Sequence, residues 1–122
     1  MIPSESWEQQ WLFAKTRDME KQWPELALLY AIPNGATTGK REGARLKAEG
    51  LKSGVPDLCL PVARGGWHGL YIELKRQNGT ARDLSPVQRR WLAALEQQGY
   101  LAVWKAGHEA ALAAILEYLS LE

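Results

Sequence analysis

The chain has a single cysteine, Cys59, in 122 residues. No internal disulfide can form, and a zinc site built from thiolates has no second sulfur to use. A lone thiol inside "DLCLPV" reads as a small core residue rather than a nucleophile, because buried cysteine packs as a hydrophobe. Charge of one sign is lacking too: 15 Lys and Arg stand against 14 Asp and Glu, a formal net charge of +1. That balance argues against a strongly basic protein that coats nucleic acid non-specifically, while leaving room for a local basic surface. No apolar run approaches the about 18 residues needed to span a bilayer, so no membrane partner is expected. The opening "MIPSESWEQQ" lacks the basic-then-apolar pattern of a secretory signal, and the expected compartment is the cytoplasm. No repeat, low-complexity tract or linker divides the chain, and its length suits one domain, residues 1–122, with a real core.

What is present has the profile of a globular protein, 46% hydrophobic and 24% charged. Ser4 and Ser6 both offer N-caps for a first helix from about Glu5 to Gln22, with a stripe through Trp7, Trp11, Leu12, Ala14, Lys15 and Met19. The apolar run Leu26 to Ile32 in "PELALLYAIPNG" reads as a buried strand stopped by a turn. A polar helix from about Lys40 to Glu49 closes at Gly50. "PDLCLPV" and "HGLYIELKR" read as strands joined by the Gly-rich turn "ARGGW", an antiparallel hairpin. "SPVQRRWLAALEQQG" is the clearest helix: Ser85 caps it, Pro86 takes the first position and Gly99 ends it. "YLAVWKA" is a strand and "GHEAALAAILEYLSLE" an amphipathic helix. The order α-β-α-β-β-α-β-α predicts an α/β fold, a mixed sheet of about four strands with helices against its faces.

The hairpin carries the chemistry. Along His68 to Lys75 the side chains alternate, with Leu70, Ile72 and Leu74 on one face and Tyr71, Glu73 and Lys75 on the other. Glu73 and Lys75 are then neighbours, their Cα atoms roughly 6.5–7 Å apart. Antiparallel pairing would set Asp57, at the start of the preceding strand, beside Glu73. Two carboxylates that close repel, and a proton, a lysine or a metal must offset the repulsion. A hard divalent cation suits such a site, since Mg²⁺ commonly takes only one or two carboxylates, with waters and substrate phosphates completing the shell. The plain alternative is a solvated strand face on which Glu73 and Lys75 form an ordinary ion pair. Neither His68 nor His108 has a metal-ligand partner at useful spacing.

Pro56-Asp57 followed by Glu73-Leu74-Lys75 resembles the PD-(D/E)xK signature of restriction-endonuclease-like nucleases. The longer string "GVPDL…GLYIELK…SPVQ…WL", with "PELALLYAIPNG" before it, resembles the VRR-NUC family over almost the whole chain, and Val55 fits the residue preceding Pro-Asp. The resemblance implies a restriction-endonuclease-like core and a Mg²⁺- or Mn²⁺-dependent endonuclease that hydrolyses DNA, with no small-molecule cofactor. It implies that Asp57, Glu73 and the carbonyl of Leu74 hold the metal, that Lys75 acts on the attacking water, and that Gln88 braces the site. It also implies an acid on the first helix; Glu5 matches best and Glu8 is the rival. Small stand-alone members of the family, phage proteins among them, form homodimers that cut branched DNA such as Holliday junctions, and the same is expected here. A nuclease-fold DNA-binding module without turnover, and a nuclease acting on flaps, nicks or RNA, are the alternatives.

Basic residues flank the expected site. Lys40, Arg45 and Lys52 lie on the segment entering the Asp57 strand, and Arg76 follows Lys75. They are candidate phosphate contacts that would position DNA rather than read its sequence. Asn34, in the turn after the first strand, is a further candidate because of the family's "IPNG" pattern. Most of the six tryptophans are expected in the core or on a dimer surface, while Trp67 in the hairpin turn could wedge against a base at a branch point.

Overall fold

Strand β3, Leu70–Lys75, is the central ladder of the molecule as seen in a computed structural model that describes residues 1–33 and 39–122. It pairs antiparallel with β2, Leu58–Leu60, and parallel with β4, Leu101–Ala106. A two-residue strand β1, Tyr30–Ala31, pairs antiparallel with β2 and closes a mixed four-stranded sheet in the order β1-β2-β3-β4. The hairpin between β2 and β3 is present as expected, with Arg64 and Trp67 bridging its turn. The parallel step from β3 to β4 requires a crossover, and helix α3, Pro86–Gln97, supplies it.

Alternation divides the sheet into two faces. Leu58, Leu60, Leu70, Ile72 and Leu74 are buried on one. Helices α1, Glu5–Asp18, and α4, His108–Leu119, cover that face with Leu12, Ala111, Ile115 and Tyr118. The Tyr118 hydroxyl donates to the Val62 carbonyl at 2.6 Å, so the ring is buried without stranding its polar end. Helix α3 lies over the other face, and the chain entering β2 is pressed against it. Gly54, at φ +85°, sits where a Cβ would stand 2.3 Å from Val87 Cγ1, so only glycine permits the approach.

Two expected boundaries change. The first helix ends at Asp18 with Met19 as its cap, not at Gln22. Trp23 precedes Pro24, which disfavours helical backbone there. The expected strand from Leu26 to Ile32 is a 3₁₀ turn, Pro24–Leu28, followed by β1. Leu26 and Leu29, three apart, are the buried residues of this stretch, whereas Leu28 and Tyr30 are exposed; that is the period of a turn of helix, not of a strand. Helix α2, Lys40–Ala48, forms as expected but buries none of its residues.

Candidate active site

The β2–β3 register pairs Leu58 with Ile72 and Cys59 with Tyr71. One further step brings Asp57 level with Glu73, on the face away from the leucine core. Asp57 Oδ2 accepts a hydrogen bond from the Leu74 amide at 2.7 Å, which fixes its carboxyl at the strand edge. Glu73 is 2% exposed and Lys75 6%, with Lys75 Nζ 3.6 Å from Glu73 Oε2. Gln88 joins them: its Nε2 donates to Glu73 Oε2 at 3.1 Å, and its Oε1 accepts from Lys75 Nζ at 3.2 Å. The same Oε1 accepts from the Ser85 amide at 2.9 Å, and Ser85 Oγ accepts from the Gln88 amide at 3.1 Å. The capping box that starts α3 therefore also aims Gln88 into the cluster.

The electrostatics follow from crowding. Burial, then the nearby charge of Asp57, pushes the Glu73 carboxyl up to about 8, against the opposing pull of Lys75. Burial also raises Asp57, while the Leu74 amide, a side-chain hydrogen bond with Glu73 and the Lys75 ammonium act the other way. Burial raises both carboxyls, so the pair tends to hold a proton that two free carboxylates would not. One ammonium does not compensate two carboxylates here.

The first-helix acid is separated by geometry. Glu5 lines an open cavity of about 500 Å³ with Lys75, Arg76, Asn78, Gly79, Thr80 and Asp83. Its carboxyl is raised by partial burial, lowered by Lys75, and raised again by Asp57 and Asp83, which ties it to the cluster. Glu8, fully buried, turns instead to α4, where its Oε1 accepts from the His108 amide at 2.9 Å and lies 2.7 Å from His108 Nδ1. Asp83, Asn78 and Thr80 are cavity residues that the sequence reading did not single out. The readable signal was the capping box of "TARD", in which Thr80 and Asp83 bond reciprocally.

The expected phosphate contacts divide. Lys40 and Lys52 are exposed. Arg45 pairs on its own helix with Glu42, and with Glu49 at 2.8 Å. Arg76 donates to the carbonyls of Pro3 at 3.0 Å and Ile2 at 2.7 Å, clamping the segment that leads into α1. Asn34 lies outside the described residues.

The donor set suits an oxygen-seeking divalent cation. Among the described residues no three His, Cys, Asp or Glu side chains gather into a complete ligand group. Asp57, Glu73 and the Leu74 carbonyl would fill only part of a shell, the pattern of Mg²⁺ or Mn²⁺ rather than of a closed zinc or calcium cage.

A mixed sheet whose hairpin brings an Asp, a Glu and a Lys to one face, with a crossover helix supplying a glutamine, defines a nuclease-type fold. The model of the VRR-NUC domain matches residues 4–108, and the chain belongs to that family. A solved structure titled "VRR_NUC domain protein" is similar to this chain at 28% identity and a TM-score of 0.80, covering 98% of this chain and 90% of that one. No curated protein matches the chain. No helix among the described residues is long and apolar enough to cross a membrane.

Proposed function

We propose that the protein is a Mg²⁺- or Mn²⁺-dependent DNA endonuclease that cuts branched DNA such as four-way Holliday junctions and works as a homodimer. The observation that carries this reading is the Asp57–Glu73 pair set side by side on one face of the sheet, where burial and then the charge of Asp57 push the Glu73 carboxyl up to about 8 and a cation would offset the repulsion. Asp57, Glu73 and the carbonyl of Leu74 would hold the metal. When bound, that ion would lower the pKa of the attacking water and offset charge on the phosphorane-like transition state. Lys75, its ammonium held by Gln88 and Glu73, orients the attacking water and stabilises the hydroxide formed from it. Gln88 holds Glu73 in place through Oε2. Attack is in line on phosphorus: the new P–O bond comes from water, which gives up a proton to solvent, the scissile P–O bond breaks with the leaving sugar oxygen taking a proton from solvent, and no covalent enzyme intermediate forms. Glu5 closes the outer side of the cavity. Exposed Trp7 and Trp11 on α1 supply apolar surface of the kind a dimer buries, and a two-fold dimer would present paired sites to both strands.

The test is direct. The purified protein with Mg²⁺ or Mn²⁺ should cleave a synthetic four-way junction, and Lys75→Ala should lower the rate by about 100-fold or more while leaving junction binding intact. Wild-type protein that binds the junction but leaves it uncut in either metal is a binding module instead. Faster cutting of flaps or nicks than of junctions would move the substrate, not the chemistry.

A further inference from the structure

Helix α1 is joined to the start of α4, just past the end of β4, by a buried carboxylate–imidazole pair that the chemistry above does not use. Glu8 is 0% exposed and His108 6%. Glu8 Oε1 takes two contacts from His108, the backbone amide at 2.9 Å and Nδ1 at 2.7 Å. Its other oxygen, Oε2, is sealed from solvent, and the Gln77 side chain borders the same small cavity. Burial raises the Glu8 carboxyl, but its bonds to His108 and to the Gln77 side chain bring it below its ordinary value, so the pair answers the cost of burying it.

The pair's position ties it to the site. The Gly107 amide donates to the Lys75 carbonyl at 2.9 Å, so the residue before His108 is tied to the last residue of β3. Gly107 takes φ +88°, open to glycine, and this turn lets the first amide of α4 face Glu8. Glu5 lies three residues before Glu8, about one turn along the same helix, and residues so spaced are surface neighbours. The indoles of Trp7 and Trp11 pack on the His108 ring at 5.6 and 6.4 Å between centroids, which resists rotation of the helix. The connections therefore run from Lys75 through Gly107 and His108 to Glu8, and from there along α1 to Glu5.

We infer that Glu8 and His108 are positioning residues: they set the rotation of α1 so that the Glu5 carboxylate faces the metal cluster at Asp57 and Glu73. This rests on the reading of that cluster as a metal site. It assigns no chemistry to Glu8 or His108.

A double-mutant cycle read by Mg²⁺ binding alone, with calorimetry on the metal and no DNA, separates positioning from general weakening. Glu5→Gln should weaken Mg²⁺ by about fivefold to tenfold, a loss within the usual range for groups that support ligands. Glu8→Ala should weaken it similarly in the wild-type background and by less than twofold once Glu5 is Gln. His108→Gln, a second variant in case Glu8→Ala fails to fold, should give the same non-additive result. Equal losses in both backgrounds would overturn the inference, as would a folded Glu8→Ala or His108→Gln protein that keeps wild-type affinity, or a Glu5→Gln protein that does. Failure of the metal-site reading looks different: Asp57→Asn would then leave Mg²⁺ binding unchanged.

Discussion

Glu73 is the residue on which two demands collide. As a strand residue it is buried at 2% exposure, and as a member of the cluster it faces Asp57. Its carboxyl titrates near 8 in the folded protein against an ordinary 4.5, so between those values the folded state binds a proton that the unfolded state has released. The sign follows: the contribution of Glu73 to stability is present in full below about pH 4.5 and is lost as pH rises towards 8. Glu73→Gln removes that titration and the repulsion with Asp57. We expect the variant to be more stable than wild type by about 1–2 kcal/mol at pH 8, with the gap closing towards pH 5, and to be inactive. Melting temperatures of both proteins across pH 5–8 test this, and a gap independent of pH would refute it. Mg²⁺ should narrow the gap at pH 8 by raising the melting temperature of wild type alone, since the ion competes with the proton for Glu73.

At the scale of elements, α3 starts where the site ends. Ser85 and Gln88 close the capping box, and Gln88 also bridges Lys75 and Glu73. Two substitutions separate those roles. Ser85→Ala should cost about 1 kcal/mol of stability and less than tenfold in rate, because Gln88 keeps its partners in the cluster. Gln88→Ala should cost a similar amount of stability but at least tenfold in rate, because the Lys75 ammonium loses its acceptor. Urea unfolding beside single-turnover rates distinguishes the two, and equal rate losses would mean that Gln88 serves only as a cap. These elements were legible in the sequence because their signals are local: strict alternation for β3, and Ser-Pro-x-Gln before an apolar stripe for α3. The stretch from Pro24 to Ala31 was not, because a leucine-rich run carries no period of its own, and only the packing of Leu26 and Leu29 onto the core selects the turn. The choice between Glu5 and Glu8 was likewise out of reach. Both acids stand in the first turn of α1, and what separates them is His108, one hundred residues further on.

The whole molecule, at net charge +1, has no general attraction for DNA to rely on. Binding must come from a few placed cations. Of the basic residues expected to meet phosphate, Arg45 is already paired with Glu42 and Glu49, and Arg76 is spent on the carbonyls of Ile2 and Pro3. Lys40 and Lys52, at either end of the α2 segment, are exposed. Helix α2 buries nothing, so its sequence is under little demand from the core and is free to serve a ligand. Lys40→Glu with Lys52→Glu should therefore leave the fold and Mg²⁺ binding untouched while weakening junction binding at low salt. The diagnostic is the slope of log affinity against log salt, because each phosphate contact removed lowers its magnitude by about one. The double variant should flatten it by about two, whereas Arg45→Ala should change it little because its charge is largely answered within α2. A slope that the lysine variant leaves unchanged, or that Arg45→Ala flattens more, would place the phosphate track on another surface of the molecule.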